Sequence, residues 1–87
     1  MTSVHQLLLV PERRGDRALY VLARSGRLPA DALPTHVRWQ LVIDLHGLGW
    51  PDVVIAEHTR MTTYTTARIR SSLGLAPNRP RVEGMTA

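Results

Sequence analysis

The chain has 87 residues, the length of one small domain, and 44% of them are hydrophobic, so a packed core is expected. Charged residues make up 21%, too few for a chain that is disordered throughout. All eleven basic side chains are Arg, and against seven acidic ones they give a formal net charge of +4. This balance is compatible with a nucleic-acid partner, but a GC-rich genome would also produce an Arg-only composition.

Other classes of protein are excluded by what the sequence lacks. There is no cysteine, so neither disulfides nor thiolate zinc sites are expected. No apolar run approaches the roughly 20 residues that cross a bilayer. The N-terminus also lacks the basic segment of a signal peptide, so we expect a cytoplasmic protein that does not enter the membrane.

The first apolar run is Val4–Val10. Ser3 and Gln6 have the spacing of a capping box, which favours a helix, whereas the short run and the following Pro11 favour a strand or an arm. The residues leave both interpretations open. The run is either part of the core or an arm that contacts a second subunit.

A first helix is predicted over about Arg17–Ser25. Asp16 is suited to cap its start, and Gly26 is suited to end it in the left-handed conformation. The following segment, Arg27–Pro34, contains two prolines and is predicted to be a loop with at most one short turn. The predicted buried stripe of the helix consists of Ala18, Leu19, Leu22 and Ala23.

A second helix is predicted over about His36–His46, with Thr35 as its N-cap and Gly47 and Gly49 ending it. Apolar residues recur in it at helical spacing. These are Val37, Leu41, Leu45 and Leu48, with Val42 beside them.

Two further helices complete the prediction. Pro51 opens one that runs to about Thr59, at a position where its missing N–H costs nothing. Thr62 is expected to cap the other, over about Thr63–Leu73, and Gly74 to end it. Beyond Pro77 the chain is rich in Pro and Arg and is expected to be loose.

The last two helices lie within the segment DVVIAEHTRMTTYTTARIRSSLGL, Asp52–Leu75. This segment resembles the helix-turn-helix of bacterial regulators, of resolvases and invertases, and of the DNA-binding region of sigma factors. The resemblance implies that Ala56 is the small residue where the helices approach most closely, and that the chain bends at Arg60. Arg60 departs from the usual Gly, which should cost about 1 kcal/mol. Thr66 departs from the usual Val-like residue, and its hydroxyl can bond back along its own helix.

The resemblance also implies a core of three helices, which extends the likeness back to the predicted helix at His36–His46. Trp39 lies either in this core or partly exposed, and we favour the core. Leu41, Leu45, Leu48 and Trp50 should pack on Ile55 and Ile69. The inward positions of the motif are Ile55, Thr59, Met61, Thr66 and Ile69.

In this family the second helix of the motif lies in the major groove of DNA and enters with its N-terminal end. The resemblance therefore implies that Thr62 and Thr63 meet a phosphate. Thr63 and Tyr64 are also expected within reach of base edges. Ala67 is small enough to touch a thymine methyl group, and Ser71 lies on the same outward face.

Three different roles are predicted for the arginines of this region. Arg68 is expected to read a guanine through O6 and N7, and Arg70 points sideways as a phosphate clamp. The tail Asn78–Arg81 resembles the arms that DNA invertases and homeodomains lay in the minor groove. Its two arginines, Arg79 and Arg81, join the predicted DNA contacts, although a merely solubilising tail fits the same residues.

No other chemistry is indicated by the sequence. The four His residues lack the spacing of metal ligands, and neither a catalytic triad nor a glycine-rich phosphate loop is present. We therefore predict no enzyme activity, no metal and no cofactor.

The sequence thus predicts a mainly α fold with three parts. Residues 1–34 form an N-terminal extension that either dimerises or extends the core, 35–76 form the helix-turn-helix domain, and 77–87 form a basic tail. The predicted function is sequence-specific binding of double-stranded DNA by a homodimeric transcriptional regulator. We expect this regulator to be a repressor from a bacterium, a phage or a mobile element. The alternatives are an accessory or architectural factor of recombination or partition, and a protein-interaction module such as an antirepressor or a partner of RNA polymerase.

Overall fold

The computed structural model describes residues 14–79, and within that range the chain is mainly helical, as predicted, with no strand. The run Val4–Val10, for which the sequence left open a helix and a strand or arm, lies outside the described residues. The elements in chain order are α1 (Arg14–Arg24), a short 3-10 helix (Ala30–Ala32), α2 (Thr35–Gly47), α3 (Asp52–Thr59) and α4 (Thr63–Ser72). Across residues 14–79 no helix combines the length and the apolar character that crossing a membrane requires.

The end of α1 is the turn predicted at Gly26. Its φ is 84°, the left-handed conformation that glycine adopts without a Cβ penalty. The N–H of Gly26 donates to the Ala23 carbonyl at 3.1 Å, and that of Arg27 donates to the Leu22 carbonyl at 2.9 Å. These two bonds form a Schellman motif, which satisfies carbonyls that the helix leaves without partners.

The buried face of α1 differs from the predicted stripe. Ala23 is fully buried and Leu19 packs on the core, as expected, but Ala18 is exposed and Leu22 is 38% exposed. Tyr20 takes the core-facing position instead. Both sides of this helix carry apolar residues, so spacing alone did not determine which side packs inward.

One hydrophobic core joins α1 to the rest of the chain. The side chains of α1 and the 3-10 helix are buried together with those of α2 and α3, so residues 14–34 extend the core. The 3-10 helix is held by Arg38, whose guanidinium donates to the carbonyls of Ala30 and Leu33 at 3.2 and 3.0 Å. The buried cluster comprises Ala23, Ala30, Leu33, Val37, Leu41, Leu45 and Ile55.

Helix α2 corrects two expectations. Thr35 is its first helical residue rather than its cap, because Pro34 takes the N-cap position and its carbonyl accepts from the N–H groups of the first turn. Leu48 is 55% exposed and is not part of the core. Trp50 packs on the core as predicted, and Trp39 is only half-buried.

The turn between α3 and α4 has the bend predicted for it. Arg60 has φ 61° and ψ 30°, and no other non-glycine residue of the described chain has a positive φ. After this residue the chain reverses, and the Met61 N–H donates to the Ala56 carbonyl at 3.1 Å. Ala56 is buried, and α3 and α4 pack directly against each other.

The strain at this turn predicts a difference between two variants. Arg60→Gly and Arg60→Ala both remove the side chain, but only glycine relieves the left-handed backbone. We expect Arg60→Gly to be about 1 kcal/mol more stable than Arg60→Ala in urea unfolding. Equal stabilities would contradict the left-handed turn.

A polar cluster also connects α1 to α2. The Tyr20 hydroxyl donates to Asp44 Oδ2 and accepts from Arg24 Nη1 at 3.0 Å. Gln40 Nε2 donates to the other Asp44 oxygen at 2.8 Å. Burial raises the pKa of Tyr20, and the hydrogen bond to Asp44 raises it further, although the bond from Arg24 acts in the opposite direction.

This pKa predicts how stability depends on alkaline pH. The folded chain holds the Tyr20 proton more tightly than the unfolded chain, so the contribution is complete below about pH 10 and is lost as pH rises through the raised pKa. Tyr20→Phe should therefore flatten the loss of unfolding free energy as the pH rises above about 10. The control is Tyr64→Phe, which alters an exposed tyrosine. Parallel curves for the parent chain and Tyr20→Phe would refute this assignment.

Candidate nucleic-acid interface

Helix α4 has one buried and one exposed face. Thr66 is fully buried and Ile69 is 6% exposed, and both pack towards the other helices. The Thr66 hydroxyl donates to the Thr62 carbonyl at 3.0 Å, which is the back-bond expected for this departure from the family pattern. The opposite face carries residues predicted to contact DNA, and of these Thr63, Tyr64, Arg68 and Ser71 are exposed and Ala67 is half-buried.

Thr62 caps the start of α4. Its hydroxyl oxygen accepts the Thr65 N–H at 3.0 Å, and the same hydroxyl lies 3.0 Å from Thr65 Oγ1. The predicted cap is therefore confirmed. The N–H groups of Thr63 and Tyr64 lie in the first turn, where helix geometry provides no carbonyl for them.

Arg70 has a structural position that the sequence did not reveal. Its Nε donates to both carboxylate oxygens of Asp52 at 2.9 and 3.0 Å, and its Nη1 donates to the Leu75 carbonyl at 2.7 Å. The two charged side chains are only 13% and 16% exposed. Two of its three guanidinium nitrogens therefore bind acceptors within the fold, and the phosphate clamp at Arg70 stays a prediction.

Arg68 is placed differently from Arg70 although both lie on α4. Its side chain is exposed, and its guanidinium carbon lies 5.9 Å from the centre of the Tyr64 ring. No residue in the described range accepts a hydrogen bond from it. The Tyr64 side chain is 70% exposed, so the pair stands on the surface.

An open groove lies beside this pair, between α2 and α4. Its volume is about 280 Å³. Two of its residues, Arg38 and Trp39, come from α2 and were not among the predicted interface residues. The groove is lined by Arg38, Trp39, Tyr64, Thr65, Arg68, Ile69 and Ser72.

The segment after α4 is bound to the helices instead of being loose. His46 Nε2 donates to the Ala76 carbonyl at 2.6 Å. The Asn78 side-chain amide donates to the carbonyls of His46 and Trp50 at 2.9 and 3.0 Å. The expectation of a loose tail beyond Pro77 is therefore wrong for Asn78. Its amide donates to one carbonyl in the last turn of α2 and to one in the segment between α2 and α3. Of the two predicted tail contacts, Arg79 is exposed and Arg81 lies outside the described residues.

The turn of the motif is supported by the end of α1. His58 Nε2 donates to the Arg24 carbonyl at 2.7 Å, and Arg60 Nη2 donates to the Gly26 carbonyl at 3.2 Å. The His58 ring also meets Trp50 edge to face, with centroids 5.1 Å apart. These contacts fix the α3–α4 pair on the N-terminal part of the fold.

A metal centre is not indicated by the geometry. Within residues 14–79 no group of three or more His, Asp or Glu side chains is arranged to hold an ion.

Comparison of the chain with models of protein families, with curated proteins and with solved structures found no match.

The different positions of Arg68 and Arg70 predict different costs for the same substitution. Arg70→Met leaves Asp52 partly buried and unpaired, so it should lower the free energy of unfolding by about 1–3 kcal/mol. Arg68→Met, on the exposed face of the same helix, should change it by no more than about 0.5 kcal/mol. Denaturant unfolding measures both values, and equal costs would argue against the Asp52–Arg70 contact.

Proposed function

We propose that this chain binds double-stranded DNA with sequence specificity by inserting α4 into the major groove. The observation that carries the proposal is the division of α4 into two faces. The inner face is fixed by Thr66, Ile69 and the Asp52–Arg70 pair, whereas the outer face presents uncharged donors and the guanidinium of Arg68. A rigid helix with an unoccupied polar face is suited to read base edges.

The arrangement of the motif supports the same proposal. Its turn has the left-handed residue that a helix-turn-helix requires, and its second helix begins at a capped N-terminus. Positive charge for phosphate contacts is present on exposed Arg27, Arg68 and Arg79. Phosphate contacts give affinity without specificity, so base preference would depend on the outer face of α4.

We further propose a cytoplasmic homodimer whose two motifs face successive major grooves about 34 Å apart. A dimer would bind a nearly palindromic site and repress a nearby promoter by excluding RNA polymerase. The source we propose for this protein is a bacterium, a phage or a mobile element. The dimer predicts one footprint with two half-sites.

Binding-site selection from random duplexes, followed by shift assays, tests the proposal. Arg68→Ala should weaken binding to the selected site by about 1–3 kcal/mol and relax preference at one base pair per half-site. Arg27→Ala is the matched control, since it also removes one exposed positive charge. It should at most weaken binding equally across sequences.

Two outcomes would contradict this assignment. If no duplex is enriched, sequence-specific binding is refuted. If Arg68→Ala keeps both affinity and base preference, α4 does not read the site through this residue. The salt dependence of binding to random DNA reports the phosphate contacts separately.

One observation favours a second candidate, a protein-interaction module. Helix α1 exposes Ala18, Val21 and Leu22 on the side away from the core, with Val21 58% exposed. Isolated exposed apolar residues are common, but three on one helix face form a surface that a partner protein can cover. DNA affinity that is absent or independent of Arg68 would favour this candidate.

A further inference from the structure

We propose that Tyr64 is a positioning residue, whose ring holds the Arg68 guanidinium on the outer face of α4 so that it can read a guanine. The inference rests on the proposed function and refines it. The sequence predicted that Tyr64 itself lies within reach of base edges. The geometry instead assigns the base contact to Arg68 and the orientation of that contact to Tyr64.

The spacing of the two residues makes the contact local. Residues four apart in a helix lie one above the other on the same face, and the guanidinium carbon of Arg68 lies 5.9 Å from the ring centre of Tyr64. This is within the range at which a cation is attracted to the face of an aromatic ring. The contact therefore forms within α4 and does not require DNA to be bound.

The kind of contact matters for recognition. A carboxylate would bind the N–H groups of an arginine and occupy the donors that a base needs, as Asp52 does with Arg70. An aromatic ring attracts the flat face of the guanidinium and leaves its edge available. For Arg68, no hydrogen-bond acceptor is found in the described part of the chain. Its donors thus remain available for O6 and N7 of a guanine.

The contact also affects how many conformations the Arg68 side chain samples. It lines the open groove between α2 and α4 together with Tyr64. A long side chain without a preferred contact would divide its time among several rotamers, and binding a base would then cost more conformational entropy. The cation–π contact with Tyr64 reduces that cost, because a tyrosine side chain has few rotamers of its own.

The contact between Tyr64 and Arg68 is tested on the DNA-free protein. NMR chemical shifts of the Arg68 side chain should carry the ring-current shift of an aromatic neighbour in the parent chain and in Tyr64→Phe. The shift should disappear in Tyr64→Ala. Unchanged shifts in Tyr64→Ala would overturn the inference before any DNA is added.

The consequence for recognition is tested by binding-site selection with the parent chain, Tyr64→Phe, Tyr64→Ala and Arg68→Ala. Arg68→Ala identifies the base pair that this residue reads. At that pair, Tyr64→Ala should lower the preference for guanine by about 2- to 5-fold. Tyr64→Phe keeps the ring and should restore the parent preference. Binding to random duplex should be the same for all the Tyr64 variants, since none changes the charge.

The possible failures have separate meanings. If the parent chain selects a site but Tyr64→Ala keeps its guanine preference, the positioning role is wrong and the proposed function stands. If Tyr64→Phe loses preference as Tyr64→Ala does, the hydroxyl contacts the base and the positioning role is again wrong. If the parent chain selects no site, the proposed function fails, and the inference fails with it. Thermal unfolding of each variant identifies losses caused by misfolding.

Discussion

The Arg70 guanidinium holds three parts of the molecule together. It binds Asp52 at the first turn of α3, it belongs to the last turns of α4, and it donates to the Leu75 carbonyl in the segment that follows. A pair of partly buried charges adds little net free energy, because both ions lose water, but each needs the other once they are buried. The pair therefore acts as a constraint on where α4 lies relative to α3. The exposure of the outer face of α4 depends on this constraint.

Local chemistry explains why much of the fold could be predicted. Pro51, Thr62 and Gly74 mark helix ends through properties of single residues: a missing N–H, a capping hydroxyl and tolerance of positive φ. The strained turn at Arg60 followed from the family resemblance, which supplied the position of the bend. These features need no knowledge of the rest of the chain.

Errors arose where the answer depended on distant residues. The rotation of α1 is set by the contact of Tyr20 with Asp44, which lies 24 positions away. The roles of His58 and Asn78 depend on carbonyls more than 25 residues earlier in the chain, and the sequence has no local signal for either contact. Leu48 matched the helical spacing of the core, yet it follows the end of α2 and is exposed.

At the candidate site, too, local features could be predicted and contacts between distant residues could not. Once Thr66 and Ile69 are placed inward, helical periodicity gives the outward positions of α4. The prediction that these positions face away from the core is confirmed. Periodicity also placed Arg70 to the side of that face, but only the position of Asp52 determines that Arg70 is paired inside the fold. The groove contributed by Arg38 and Trp39 could not be found from α4 alone, because it requires the packing of α2.

The Asn78 amide binds the segment after α4 to the rest of the fold. Within residues 14–79 the last helix ends at Ser72, and six positions later Asn78 donates to the carbonyls of His46 and Trp50. A shortened chain that ended with α4 would leave these two carbonyls and the His46 ring facing water. The chain therefore reaches residue 78 beside Trp50, at a position set by these contacts and not by the end of α4.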